Sequence, residues 1–215
     1  MLFHEIDRAS WTREEYYRHY TGDVPCTYSL VARLDITNLR RAAKAAGLRT
    51  YPALIYMAAR AVNAHPEFRM DVVDGKLGYY DSVDPFYTVF HADSETFSSI
   101  WTEYGADFHA FHERFLDDIA RYGDVHSLEP KPGGGRNRIN LSSLPWLSFT
   151  ALNLNIQSGF DYFLPIFTFG KFVEEGGKTL LPLAIQAHHA AADGFHIARL
   201  IGDMQDWADQ WTVGD

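Results

Sequence analysis

At 215 residues, 47% of them hydrophobic and 15% aromatic, the chain has apolar material for one well-filled domain and too much of it for a disordered segment. A formal net charge of -9 excludes a broad nucleic-acid surface, which needs concentrated positive charge, while the 19 Lys and Arg still allow a local phosphate-binding pocket. The single cysteine, Cys26, excludes an internal disulfide and any multi-cysteine metal centre.

The first residues, Met1-Leu2-Phe3-His4-Glu5-Ile6-Asp7, lack the basic-then-apolar order of a signal peptide. No stretch approaches the ~20 apolar residues of a membrane span. A soluble, cytoplasmic protein with neither nucleic-acid nor membrane partners is expected.

Residues 26–35 alternate as a strand, with Cys26, Tyr28, Leu30, Ala32 and Leu34 on one face. A helix follows from about Thr37 to Ala46, stopped by Gly47. Tyr51-Pro52 opens a second helix with Leu54, Ile55, Ala58, Ala59 and Val62 on its apolar side and Pro66 just beyond it. Asp74-Gly75 between residues 68–73 and 76–80 predicts a hairpin, and Tyr87 to His91 reads as a further strand. Phe108, Phe111, Phe115, Ile119 and Tyr122 mark a helix whose aromatic stripe reads as core packing.

The loop Lys131-Pro132-Gly133-Gly134-Gly135-Arg136 is glycine-rich but lacks the Gly-Lys-Ser/Thr ending of a phosphate-binding loop. Strands are expected at 138–142, 147–155 and 163–169, then a hairpin turning at Glu174-Glu175-Gly176-Gly177. Connections are short and nothing repeats, so a single mixed α/β domain over residues 1–215 is predicted.

The second arm of that hairpin runs into His188-His189-Ala190-Ala191-Ala192-Asp193-Gly194. Strand alternation puts His189 on the face of Leu181, Leu183, Ile185 and Ala187, and His188 on the other. Asp193 is a natural N-cap for a helix bearing Ile197, Leu200, Ile201, Met204 and Trp207 or Ala208 on one face. Three readings stay open from these residues: two structural histidines beside a cap, a metal site using His188, His189, Asp193 and His196, or a general base at His189.

The run from Gln186 to His196 resembles the coenzyme A-dependent acyltransferase superfamily, and in particular the type A chloramphenicol acetyltransferases. The likeness extends through Pro25-Cys26-Thr27-Tyr28, Leu34-Asp35-Ile36-Thr37, Asp81-Ser82-Val83-Asp84-Pro85, Thr88-Val89-Phe90-His91, Asn140-Leu141-Ser142-Ser143-Leu144-Pro145-Trp146 and Pro165-Ile166-Phe167-Thr168-Phe169-Gly170-Lys171.

The resemblance implies a mixed-sheet two-layer α/β sandwich working as a homotrimer with sites between subunits. It implies an enzyme that O-acetylates chloramphenicol and so confers antibiotic resistance, with acetyl-CoA as co-substrate, no permanently bound cofactor and no metal. By the same resemblance His189 is the general base, Ser142 the oxyanion donor and Thr168 a polar partner near the intermediate. Asp193 paired with Arg13 holds the loop, a buried pair whose breakage costs ~3–5 kcal/mol. Tyr20, Val24, Tyr28, Phe97 and Ile166 are implied as the acceptor pocket, and Arg49, Tyr51 and Lys171 as neighbours of coenzyme A.

The chain departs from the family pattern at Ala192, where many relatives have cysteine, at the bulky Phe169, and in the loop of Gly133 to Gly135. Rival readings are an acyltransferase for another hydroxyl or thiol acceptor, and a non-catalytic trimer that binds small aromatic ligands.

Overall fold

In a computed structural model, residues 2–154 and 162–212 are described. A mixed sheet runs through the chain in the order β2 (Thr27–Asp35), β10 (Lys178–His188), β8 (Ile166–Gly170), β7 (Arg138–Leu144), β5 (Asp84–His91) and β6 (Thr96–Trp101). Strands β5, β7 and β8 are parallel neighbours and the other pairs are antiparallel. The short β9 (Val173–Glu175) folds back on β10 through Gly176 and Gly177, both at positive φ, a conformation open to glycine without strain.

One face of this sheet is covered by helices α2 (Thr37–Ala45), α3 (Thr50–Asn63), α4 (Phe108–Tyr122) and α5 (Gly194–Gln210). Alternation decides which side chains meet them. Leu34, Tyr87, Ile100, Ile139, Leu141, Phe167, Phe169, Leu181, Leu183 and Ile185 point into the helical layer and are buried. Helix α3 is apolar nearly all round, from Pro52 to Val62, as suits a helix pressed between the sheet and its neighbours. Each such fully buried Leu, Ile or Phe contributes roughly 1.5–3 kcal/mol. Phe169 belongs to this core, so its bulk is spent on packing and lies across the strand from Thr168.

A smaller sheet of β1 (Phe3–Glu5), β4 (Lys76–Tyr80) and β3 (Met70–Val73) stands beside the first. The Asp74-Gly75 turn between β3 and β4 has φ of 51° and 78°, the geometry of a tight two-residue hairpin. Met70 and Leu77 join Phe163, Ala190 and Ala191 in a second apolar cluster packed by Trp11, Tyr17 and Tyr20. That cluster lies under the loop that follows β10.

Several element boundaries differ from those the sequence pattern predicts. Residues 147–154 form no strand: they turn after Leu144, and Phe149 lies so close to Gly170 that a Cβ there would sit 2.9 Å from the ring. Residue 155 is outside the described residues. The expected strand 163–169 begins at Ile166, strand 68–73 begins at Met70 after a 3-10 turn at Pro66–Phe68, and strand 87–91 begins earlier, at Asp84. Helix α1 (Glu14–Arg18), the π-helical turn His19–Asp23, β1 and β6 carry no clear period and were not predicted.

Candidate active site

Strand β10 ends at His188, and His189 keeps the ladder going by one bond, its N–H donating to the Cys26 carbonyl at 2.9 Å. The two histidines diverge there. His188 is fully buried, its ring against Phe163 at 4.8 Å and its Nδ1 accepting from the Ala190 N–H at 3.1 Å. The His189 imidazole faces the opposite way and lies flat on Tyr20, with centroids 3.9 Å apart and planes 6° apart. Tyr28 meets it edge-on at 5.2 Å. Among the described residues His189 Nδ1 is buried with no hydrogen-bond partner, whereas Nε2 is not enclosed in this way.

The loop after His189 is held at three points. Ala190 and Ala191 are fully buried in the second apolar cluster, where larger side chains have no room. The Tyr28 hydroxyl donates to the Ala192 carbonyl at 3.2 Å; burial first, then the Asp193 charge, push that phenol up to about 12, so it stays a donor at neutral pH. Asp193 caps α5 by accepting from the Phe195 N–H at 3.1 Å.

The Asp193 carboxylate also takes a 3.0 Å ion pair from Arg13 and a 2.8 Å contact from His196 Nδ1. Burial pushes this carboxyl up, but the hydrogen bonds and charges of Arg13 and His196 outweigh it and hold the group down at about 2. Arg13 donates as well to the His189 carbonyl at 3.5 Å, so one guanidinium spans both ends of the loop. The Asp193 side chain is 36% exposed, which corrects the picture of a fully buried pair. Among the described residues no carboxylate contacts the His189 ring, and no three His, Cys, Asp or Glu side chains converge as metal ligands.

A second group sits on the sheet face away from the helices. Ser142 Oγ and Thr168 Oγ1 are 3.0 Å apart, because the parallel register of β7 and β8 pairs these two residues. Ile166 lies two positions earlier on the same face. Thr168 pairs across with Ala184 of β10, and from residue 184 to 189 the strand advances roughly 16 Å. Within one chain, therefore, Ser142 and His189 do not meet.

A third group surrounds a cleft of about 340 Å³ between α3, α4 and β5, lined by Arg49, Tyr51, Phe90, Phe115 and Ile119 and closed by Ser143, Pro145 and Trp146. Tyr51 donates to the Thr88 carbonyl at 3.2 Å, and burial pushes its phenol far up. Arg49 also lines an adjoining groove of about 830 Å³ with Arg40, Arg41 and Lys44.

The sequence profile of the chloramphenicol acetyltransferase family matches residues 1–205. The chain belongs to that family. A chloramphenicol acetyltransferase of Clostridium perfringens is 49% identical over 207 residues, which are 96% of this chain and 98% of the relative. Among solved structures, a chloramphenicol acetyltransferase superposes with a TM-score of 0.86 at 24% identity, over 96% of this chain and 100% of its own. The dihydrolipoamide acetyltransferase of Azotobacter vinelandii follows at 0.64 and 19% identity, over 86% and 82%. The two superpositions establish the mixed-sheet acyltransferase fold; the sequence match makes the chain an acyltransferase.

The expected chloramphenicol acetyltransferase residues thus fall into separate groups. Arg13, Tyr20, Tyr28, His189 and Asp193 come together in one. Ser142, Thr168 and Ile166 form the next, and Arg49 with Tyr51 the third. Val24, Phe97 and Lys171 are exposed and lie outside these contacts: Phe97 pairs across β5–β6 with Phe90, and Lys171 is fixed through its N–H to Leu147 at 2.9 Å. Sequence reasoning missed three contributors: His196 as second support of Asp193, the Cys26 carbonyl beneath His189, and the wall of Ser143, Pro145 and Trp146. The Asp-Gly-Phe-His spacing could have given the first, since the third residue after an N-cap reaches back to it.

Proposed function

We propose that the chain transfers the acetyl group of acetyl-CoA to a hydroxyl of chloramphenicol, the compound for which its relatives are named, and thereby confers resistance to that antibiotic. The observation that carries this reading is the clamped His189: its ring is packed between Tyr20 and Tyr28 with Nδ1 buried, and its backbone N–H is tied to the Cys26 carbonyl. Its Nε2 suits a general base that takes the proton of an acceptor hydroxyl as the hydroxyl oxygen attacks the thioester carbonyl. The imidazolium then returns that proton to the departing thiolate. No acyl-enzyme forms, because acceptor and donor meet in one site and the gain comes from proximity.

Ser142, backed by Thr168 at 3.0 Å, donates to the oxyanion of the tetrahedral intermediate. The separation of Ser142 from His189 within one chain supports a homotrimer in which the base of one copy faces the serine of the next. The cleft of Tyr51, Phe115 and Trp146 takes the acyl donor's apolar arm, and Arg40, Arg41, Lys44 and Arg49 beside it offset its phosphates. Tyr20, Tyr28 and Ile166, with Val24 and Phe97 from the exposed surface, supply the aromatic and apolar wall for the acceptor.

The test is coenzyme A release from acetyl-CoA with and without chloramphenicol, followed by identification of the product. Release that depends on chloramphenicol and yields its O-acetyl ester is expected. Release only with other alcohols or thiols would replace chloramphenicol as acceptor, and chloramphenicol binding without release would leave a binding protein.

A further inference from the structure

The glycine-rich loop takes no part in the site, yet both of its cations, Lys131 and Arg136, are held by carboxylates, as is Arg138 just beyond it. Arg136 pairs with Asp71 at 3.1 Å and Arg138 with Glu129 at 3.2 Å, each with one partner well exposed. Lys131 differs: it pairs with Asp118 of α4 at 2.6 Å, and both side chains are enclosed, at 15% and 9% exposure. Its Nζ also donates to the Trp101 carbonyl at 3.0 Å and lies 3.8 Å from the Trp101 ring centre. Gly134 packs beside the same ring: a Cβ there would sit 3.1 Å from Trp101 and 2.7 Å from the Arg138 guanidinium.

The pair leads inward. The second Asp118 oxygen accepts from the Thr102 hydroxyl at 2.7 Å, and that hydroxyl shares a 2.8 Å hydrogen bond with Tyr87. Thr102 and Tyr87 are fully buried. The Tyr87 ring packs on Phe115 at 5.0 Å and stands at right angles to Tyr51 at 6.4 Å. Phe115 and Tyr51 are walls of the 340 Å³ cleft, as is Ile119, the residue after Asp118.

A buried carboxylate is tolerated only while it is paired and hydrogen-bonded. Without the Lys131 ammonium, Asp118 is left as an orphaned buried carboxylate, and relief by turning outward or by drawing water into the seat of α4 would move Phe115 and Ile119. We propose that Lys131 is a positioning residue for acyl-donor binding: through Asp118 it fixes the seat of α4 and hence the width of the cleft. The proposal rests on the reading of that cleft as the coenzyme A site.

The experiment compares steady-state kinetics of Lys131→Met, Thr102→Val and the double variant Lys131→Met/Asp118→Leu with wild type, with thermal unfolding recorded for each. Lys131→Met is expected to raise KM for acetyl-CoA about tenfold while kcat and KM for chloramphenicol stay within about twofold, a split that loss of folded protein alone does not produce. Thr102→Val, which deletes only the hydroxyl between Asp118 and Tyr87, shifts the same constant in the same direction by about threefold. The double variant, with no orphaned charge, returns KM to within about threefold of wild type.

An unchanged donor KM in Lys131→Met and Thr102→Val, or a fall in kcat at constant KM, overturns the proposal. If Lys131→Met does not fold, Thr102→Val decides alone. A wild type that consumes no acetyl-CoA overturns the activity reading and this proposal together, whereas an active wild type with unaltered variants overturns this proposal only.

Discussion

The imidazole of His189 and the phenol of Tyr20 are stacked face to face, 3.9 Å between centroids and 6° between planes, at the point where β10 gives way to the Ala190–Asp193 loop. With Tyr28 on the ring edge, this contact orients the imidazole that the proposed mechanism uses as its general base. His189→Ala is expected to abolish chloramphenicol-dependent coenzyme A release while circular dichroism and melting stay close to wild type. Near-normal turnover would remove His189 from the chemistry.

The stack itself can be tested through the ring. Tyr20→Leu should lower kcat/KM by roughly three- to tenfold, the scale of an aromatic pair worth about 0.5–1.5 kcal/mol. Tyr20→Phe keeps the ring and should keep kcat. Equal losses in both variants would assign the effect to the hydroxyl.

On the proposed mechanism Ser142→Ala removes one donor toward the oxyanion, so it should lower kcat by roughly 10²–10³ with little change in KM for either substrate. Thr168 backs Ser142 at 3.0 Å, so Thr168→Val should act in the same direction through Ser142 and more weakly. A Ser142→Ala rate equal to wild type would take this residue out of the mechanism.

How far the fold and site could be read from sequence varied with the kind of physics involved. The strand through Leu181–His188 and the Asp193 cap were legible because alternation and capping are local. So were the opposite directions taken by the His188 and His189 side chains. Residues 147–154 read as a strand from their apolar content, but Trp146, Leu147 and Phe149 are side chains of a turn that crosses the end of β8. The edge strand β6 escaped notice because its Ser98 and Ser99 interrupt the apolar pattern, although both are buried in the fold. The grouping of site residues was not legible at all: Ser142 meets Thr168 through a parallel register, and registers between distant strands leave no mark in a single sequence.

The Arg13–Asp193 pair has a defined pH signature. Asp193 is held at about 2, below the roughly 3.9 of a free aspartate, so its contribution to stability is complete above about pH 4 and is lost as pH falls toward 2. Because Asp193 is partly exposed, Arg13→Met is expected to cost about 1–3 kcal/mol at neutral pH, between the values for surface and buried pairs. Urea unfolding across pH should show the gap between wild type and Asp193→Asn closing between about pH 4 and about pH 2. A gap that stays constant over that interval would mean that Asp193 acts only as a neutral cap.

The separation of Ser142 and His189 along β10 makes a sharper demand on the assembly. Two inactive proteins, His189→Ala and Ser142→Ala, each retain the half-site the other lacks. If sites form between copies arranged head to tail in a ring, unfolding and refolding an equal mixture creates interfaces that join an intact His189 to an intact Ser142. Random assortment puts that combination at about a quarter of the interfaces, so about a quarter of wild-type activity should appear. Sedimentation should give the mass of three chains for wild type and mixture alike. A mixture as inactive as its parents would mean that each site is built within one chain, which requires a rearrangement of β10 that brings His189 back over Ser142.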